Sequence, residues 1–534
     1  MQHLGFDQTW VKPMGREERV NKRVAEAFAA REAEAGWPFE ARYAQSNLDP
    51  RIIAQQMEKY NKDNEIEPYD SDALLHAKNL LETECEYLYG SGFESIDSEA
   101  GVDEIAMLMA NDKSAGPLAR REGISTKCEF VTEVRQTQMG PKPVQPRGEL
   151  GTSRRRGMVE WVVAEITGSF TPTAEKFRDA YQCDTPVYGA SLKRELRTVE
   201  KVQAGKTRVM FPSSVWDVNL AACLFGTFCH VVASAWRGAY SAIRVGLSRE
   251  HGGWGLVMAA FAVCLTVFSS DANGWDSSVL SVIWGCAAEV LSKRLAKKYQ
   301  PKGYEYVMRR LHAWIVGDDG NWWWKHRGNV SGDYLTTTMN SLARRLVQLY
   351  TLCRWYQVNG WAFPEYEEVR DSYRSAIFGD DEVLGTVVVP DGAVVELNAS
   401  FIRATGFEVG CDLDVYPGVT AGDVLFLSAK TVKYGSASVP VSLRPGKVIS
   451  GALYSADDPD VLRNQFDSIL HNVVFDDVAW DWVYPVAKQL VKKGLLDRRG
   501  YAARYMTGVA EGGSPTLTPQ SFRQWVASFD ADGR

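Results

Sequence analysis

Residues 375–385, SAIFGDDEVLG, read as an apolar strand, a tight acidic turn and a second strand. Ala376, Ile377 and Phe378 enter, Gly379 makes the turn, Asp380 and Asp381 sit at its tip, and Val383 and Leu384 return. Two adjacent carboxylates on a hairpin tip are a natural seat for a divalent cation. An Asp-rich turn between apolar runs is also an ordinary structural hairpin. The chain writes nearly the same pattern earlier, AWIVGDDGNWW at 313–323. What accompanies each copy must therefore decide between them.

Upstream of both copies, LTVFSSDANGWDSS (265–278) places Asp271 at the carboxyl end of an apolar strand. Asp276 follows five positions later, past a Gly turn, and can approach the same cleft from one side. Alone, this pair is a weak signal, because Asp commonly caps turns. Between the two hairpins, GNVSGDYLTTTMNSLARRL (328–346) reads as a Ser331-Gly332 loop and then a helix. Leu335, Met339, Leu342 and Leu346 form one apolar stripe, while Thr336 and Asn340, four apart, share a polar face. Two divalent ions about 4 Å apart can clamp the attacking and leaving oxygens of an in-line phosphoryl displacement. Magnesium needs only a few protein carboxylates, with water and substrate phosphates completing its shell. Asp271, Asp380 and Asp381 supply that number. Asp276 and the Thr336/Asn340 face remain to hydrogen-bond a sugar hydroxyl.

At 534 residues the chain exceeds one ordinary core, so two to four lobes are expected. A net charge of −7 argues against a surface coated in nucleic acid, though not against a basic channel inside an acidic shell. The nine cysteines form no CxxC pair and have no His cluster beside them, which disfavours a zinc site or disulfide framework and fits a reducing compartment. The opening MQHLGFDQTW lacks a basic-then-apolar signal. The longest apolar stretch, GLVMAAFAVCLTVF (255–268), is too short for a bilayer and reads as a buried segment, so no membrane span is expected. Residues 15–36 suggest a solvated helix. Residues 139–157, with three prolines and Arg154 to Arg156, suggest an irregular loop that is either solvated or touches phosphate. Strand-like and helical patterns alternate from about 212 to 435, and the final hundred residues look mainly helical.

The order D-x4-D, then S-G-x3-T-x3-N-S, then GDD resembles motifs A, B and C of viral RNA-dependent RNA polymerases of the picornavirus-like supergroup. Ser331, Gly332, Thr336, Asn340 and Ser341 all match the second motif. LKRELRTVEKVQAGKTRVMF (192–211) resembles the nucleotide-entry motif F, and its Lys193, Arg197, Lys201, Lys206 and Arg208 form a cationic strip of the kind a triphosphate demands. DKSAGP (112–117) resembles the template-entrance motif G, with Ser114 and Gly116. LFLSAK (425–430) resembles motif E, which grips the product end, with Leu427 and Lys430.

The resemblance implies an α+β right-handed polymerase. Its lobes would be fingers over 1–224, palm over 225–285, a fingers insertion over 286–327, palm over 328–434 and a mainly helical thumb over 435–534. Asp271, Asp380 and Asp381 would hold two Mg²⁺, with Mn²⁺ as a substitute. Asp276 and Asn340, helped by Thr336, would check the ribose 2′-hydroxyl. Ser331 and Gly332 would form the loop that shifts in translocation, and Lys201 and Arg208 would lead the triphosphate contacts. Expected partners are RNA template, nascent RNA, ribonucleoside triphosphates and other viral replication or capsid proteins. The expected location is the host cytoplasm, in a replication complex or within the virion.

Such palms run A-B-C or, permuted, C-A-B, so the 317–319 copy, lying between A and B, is out of order and reads as a decoy. One departure stands out: 406–423 contains no lysine where these enzymes usually carry the motif D general acid, which leaves Arg403 or water for that role. A reverse transcriptase or other palm-type polymerase is the nearest alternative. Enzymes that make DNA usually place a bulky aromatic where Asp276 stands, so Asp276 with Asn340 favours ribonucleotides. A catalytically silent RNA-binding scaffold is the alternative outside enzymes.

Overall fold

The structure is a computed structural model that describes residues 2–6, 20–61, 69–108, 115–116, 119, 124, 126–131, 134–137, 140–143, 148–168, 187–247, 249, 253–325, 328–435, 437–456 and 458–496. The strand Thr266–Ala272 lies at its centre. Its neighbouring Val267 and Phe268 are buried in two different apolar clusters, so the strand is covered on both faces, as a continuous apolar run suggests. It pairs antiparallel with Asp381–Thr386 on one side and Leu413–Gly418 on the other, and Tyr373–Phe378 completes a four-stranded sheet beyond the first.

Behind this sheet runs the helix Thr336–Val358. The stripe Leu335, Met339, Leu342 and Leu346 is buried as its spacing predicts. Burial extends much further, because the helices Ser71–Tyr89 and Ser281–Lys293 cover its other sides. Even Arg344 and Arg345 are inside, ion-paired with Glu382 at 2.9 Å and Glu84 at 2.6 Å.

A second, five-stranded sheet has the order Gln2–Phe6, Asn321–Lys325, Ala313–Gly317, Val187–Leu192, Val209–Met210. The first acidic hairpin belongs here, on a different sheet from the second. A third apolar cluster gathers the helices Pro445–Ser450, Pro459–Val473 and Asp477–Lys492. With separate sheets and packed helices, the molecule is α+β.

Several expectations are corrected. The helix found within 15–36, Lys22–Ala35, is not merely solvated. Val24, Ala27 and Phe28 are buried in the C-terminal helical cluster, so this part of 1–224 packs with the lobe drawn as thumb rather than fingers. The boundary at 224/225 falls inside the continuous helix Val215–Ala235, and that at 285/286 inside Ser281–Lys293. Residues 139–157 are not one loop: a helix runs Gly148–Thr167 and carries Arg155 into an ion pair with Asp103 at 2.8 Å. The apolar stretch 255–268 is not uniformly buried. It divides into the helix Trp254–Phe261 and the central strand, leaving Leu256 exposed on the helix and Val263 and Leu265 exposed at the junction.

Among the described residues only Val215–Ala235 is long and apolar enough to cross a membrane, and twelve of its residues are packed into the core. The seven cysteines with described side chains are free thiols.

Candidate active site

Strand register brings the predicted acids together. Glu382 pairs with Ser270 and Phe378 with Asp381, so Asp381 and Asp271 occupy adjoining strand ends, with Asp380 on the turn between. Gly379 takes φ +68°, a conformation side chains disfavour, and so closes that turn. The carboxylates feel one another strongly. Burial and then Asp380 raise the Asp271 carboxyl above its usual range. Asp381 is pushed up to about 7 by burial and by repulsion from Asp380 and Asp271. Asp276 rises to about 6, again through burial and then Asp380.

Such a group is stabilised either by protons or by a cation. Among the described residues no three His, Cys, Asp or Glu side chains stand close enough together to hold a metal ion as placed. The fit to a divalent cation rests instead on the donor type, with Asp271 and Asp381 on adjoining strand ends and Asp380 on the turn beside them, all hard carboxylate oxygens. A further acid, Asp414, lies opposite Asp271 in register and adds to the repulsion. It lies in the stretch without a lysine, and the sequence reading had no role for it.

The loop before the long helix is sewn to its neighbours. Phe211 N–H donates to Ser331 O at 2.7 Å, and Ser213 Oγ donates to Gly332 O at 3.2 Å. Gly332 has φ +120°, and a Cβ there would lie 2.9 Å from Phe211 O. Val215 N–H donates to Ala115 O at 3.0 Å. Gly116, at φ +93°, has Ser213 O only 2.6 Å from where a Cβ would stand. Segments 115–116, 211–215 and 330–332 therefore meet at one place, while Ser114 lies outside the described residues.

Thr336 does not offer its hydroxyl to a sugar. That oxygen accepts the N–H groups of Gly332 (3.2 Å) and Asp333 (3.0 Å), so it acts on the site by shaping the loop. Asn340 lies near Asp276 and favours the charged form of its carboxyl. Ser341 accepts the N–H of Gly379 at 2.9 Å, which pins the acidic turn to the helix.

Of the cationic strip, Arg208 is exposed and acts on Asp271, Asp276 and Asp381. Glu195, which the sequence reading passed over, is the hub of the strip: it pairs with Lys193 (3.9 Å), Arg197 (3.3 Å) and Arg208 (3.8 Å). Lys201, on the helix Val199–Gln203, and Lys206, just beyond it, are exposed and are not among the main charges acting on the aspartates. Arg444 is among them, ahead of Arg208 at Asp271. Lys447, half-buried nearby, has its ammonium pulled down by burial and by Arg444, Arg208 and Arg197 despite Glu195. Arg403, offered alongside water for the role of the absent lysine, donates to Val415 O at 3.2 Å.

Lys430 and Arg444 line a cleft of about 280 Å³ with Tyr43 and Asp476. Leu427 and Ser428 form its neighbouring turn at φ +50° and +56°, held by Arg249 on one carbonyl (3.0 Å) and Leu443 N–H on the other (2.9 Å). The earlier acidic hairpin is built differently. Both Asp319 oxygens bond Asn321, closing their own turn.

Residues 155–393, which contain the cationic strip, the paired aspartates, the loop-helix and the second acidic turn, match the family model of viral RNA-dependent RNA polymerase. This stretch, somewhat under half of the chain, is similar to that polymerase family. The genome polyprotein of Zucchini yellow mosaic virus (strain Reunion Island) is 28% identical over 375 residues, covering 68% of this chain and 10% of the polyprotein. That of Soybean mosaic virus (strain N) is 26% identical over 278 residues, 49% of this chain and 8% of the polyprotein. The chain thus spans a tenth or less of these two curated relatives. In fold it is similar to the solved Sicinivirus 3Dpol RNA dependent RNA polymerase, with a TM-score of 0.59 at 16% identity, over 91% of this chain and 100% of that one. Polymerases of this family generally use divalent metal ions and bind RNA and nucleoside triphosphates.

Proposed function

We propose that the chain catalyses template-directed RNA synthesis from ribonucleoside triphosphates in the replication or transcription of a viral RNA genome. One observation carries the reading: Asp271 and the Asp380-Asp381 turn, over a hundred residues apart in sequence, are brought to adjoining strand ends, where they repel one another beside Arg208. In this reading Asp271, Asp380 and Asp381 hold Mg²⁺, with Mn²⁺ as a substitute. The ions, when bound, supply the positive charge that phosphoryl transfer requires. Arg208, with Lys193 and Arg197 gathered by Glu195, holds the triphosphate, and Arg444 adds charge nearby. Asp276 and Asn340 receive the ribose. The primer 3′-hydroxyl attacks the α-phosphorus as the bond to pyrophosphate breaks, so the protein's task is mainly alignment and charge.

Gly116 and its neighbours line the template path, and Leu427 and Lys430 face the product. The four-stranded sheet is the palm, the five-stranded sheet the fingers, and the C-terminal helices with Lys22–Ala35 the thumb side. The working place is the host cytoplasm, in a replication complex or the virion, alongside other viral replication or capsid proteins. The test is incorporation of labelled nucleotide on a defined RNA with Mg²⁺. Wild type should prefer rNTPs over dNTPs, Asp380→Ala should abolish incorporation, and Asp318→Ala should retain most of it. Preference for dNTPs, or the reverse result for the two variants, rejects the assignment.

A further inference from the structure

The earlier acidic hairpin leads into a buried run of polar groups that reaches Asp276. Its last residue, Lys325, is 1% exposed and donates to the carbonyls of Arg310 (3.2 Å), Leu311 (3.5 Å) and Gly328. Arg310, also buried, is ion-paired through Nε with Asp333 Oδ2 at 2.8 Å, and its Nη2 donates to Asn329 Oδ1 at 3.3 Å. Asn329 Nδ2 donates to Asn340 Oδ1 at 2.6 Å, while its backbone N–H donates to the carbonyl of Asp276 at 2.9 Å. Gly328 lets this segment lie against Asp276, since a Cβ there would stand 2.1 Å from the Asp276 carbonyl oxygen. Asp276 Oδ1 itself is buried without a hydrogen-bond partner.

The direction of this run follows from chemistry. A guanidinium donates five N–H bonds and accepts none, whereas an amide has one accepting and one donating end. Facing Arg310, Asn329 must present its oxygen, and its NH₂ then points at Asn340. Asn340 must answer with its own oxygen, which leaves its NH₂ available to the nearby Asp276 carboxylate, an acceptor. Turning either amide would set donor against donor or oxygen against oxygen. The polarity of Arg310 is thus handed through two amides to the ribose-recognising pair before substrate arrives, a preorganised arrangement of the kind that fixes geometry from behind a site.

We propose that Asn329, anchored by Arg310, is a positioning residue for ribose selection that sets the orientation of the Asn340 amide. The inference rests on the polymerase reading above. Asn329→Asp is nearly isosteric and keeps an oxygen towards Arg310, but it presents a second oxygen to Asn340. That amide must then turn its NH₂ away from Asp276. Steady-state incorporation of a single rNTP and of its 2′-deoxy counterpart on the same primed RNA tests it, alongside thermal unfolding.

Asn329→Asp should lower kcat/KM for the rNTP roughly tenfold, mainly through KM, the scale of one misdirected hydrogen bond. The dNTP constants should change much less, so discrimination narrows. Asn329→Ala, which frees Asn340 to turn, should narrow it in the same direction, and it decides the matter should the Asp variant unfold. An equal loss on both substrates, or unchanged discrimination in a folded variant, overturns the inference while wild-type incorporation leaves the polymerase reading standing. Absence of incorporation by wild type overturns both.

Discussion

Replacing Ser341 with alanine would leave the Gly379 N–H, at the base of the acidic turn, without its acceptor. An unsatisfied buried donor costs about 1–3 kcal/mol, and here the loss falls on the turn that carries Asp380 and Asp381. Ser341→Ala should lower both the urea midpoint and kcat, with KM for nucleotide little changed, and Ser341→Thr should recover part of each. The aspartates add a pH dependence whose sign runs opposite to that of a salt-bridged acid. Asp381 at about 7 and Asp276 at about 6 stand above the usual carboxylate value. From about pH 4 to 7 the folded state therefore holds more protons than the unfolded one, and stability falls as pH rises through that window. In EDTA the melting temperature should decline across it. Millimolar Mg²⁺ should raise the melting temperature more at about pH 8 than at about pH 5, because protons compete for the same oxygens. Equal Mg²⁺ shifts at both pH values would count against these carboxylates as ligands.

At the scale of the element, the helix Thr336–Val358 shows how far local pattern carries. Its apolar spacing identified the helix and one buried face, and Thr336 with Asn340 marked the side towards the site. Arg344 and Arg345 look like solvent-facing residues in that pattern. Their burial depends on acids elsewhere, Glu382 on the acidic hairpin and Glu84 on the helix Ser71–Tyr89. Removing one partner of a buried pair strands the other, at about 3–5 kcal/mol. Arg345→Met should show a loss of that size in urea unfolding, and the double variant Arg345→Met with Glu84→Gln should regain much of it. The two Gly-Asp-Asp hairpins make the same point. They are nearly identical locally, and what separates them is the sheet each joins.

Across the whole molecule, the N-terminal helix Lys22–Ala35 closes on the C-terminal lobe. Trp482 meets Phe28 at 5.1 Å and Trp37 at 5.0 Å between ring centroids, and its Nε1 donates to Gly36 O at 2.8 Å. Arg31 adds a bond to the Asp481 carbonyl at 2.8 Å. Trp482→Ala should cost about 3–5 kcal/mol. Hydrogen exchange should then accelerate together in 22–35 and 477–492, with the strand 266–272 unaffected. Exchange that rises in only one of the two helices would mean they do not form a shared core.

By itself the sequence determined the local elements of the candidate site: the paired aspartates, the loop-helix, the second acidic turn and the cationic strip, and their order along the chain. These were legible because hydrophobic period, glycine turns and charge runs act over a few residues. Only the tertiary structure decided what surrounds them: Glu195 at the centre of the cations, Asp414 and Arg444 beside Asp271, Thr336 turned into its loop, and Asn329 behind Asn340. Each of those depends on segments distant in sequence meeting under burial, where an unpaired polar group is costly. Local sequence does not say which distant partner will satisfy it.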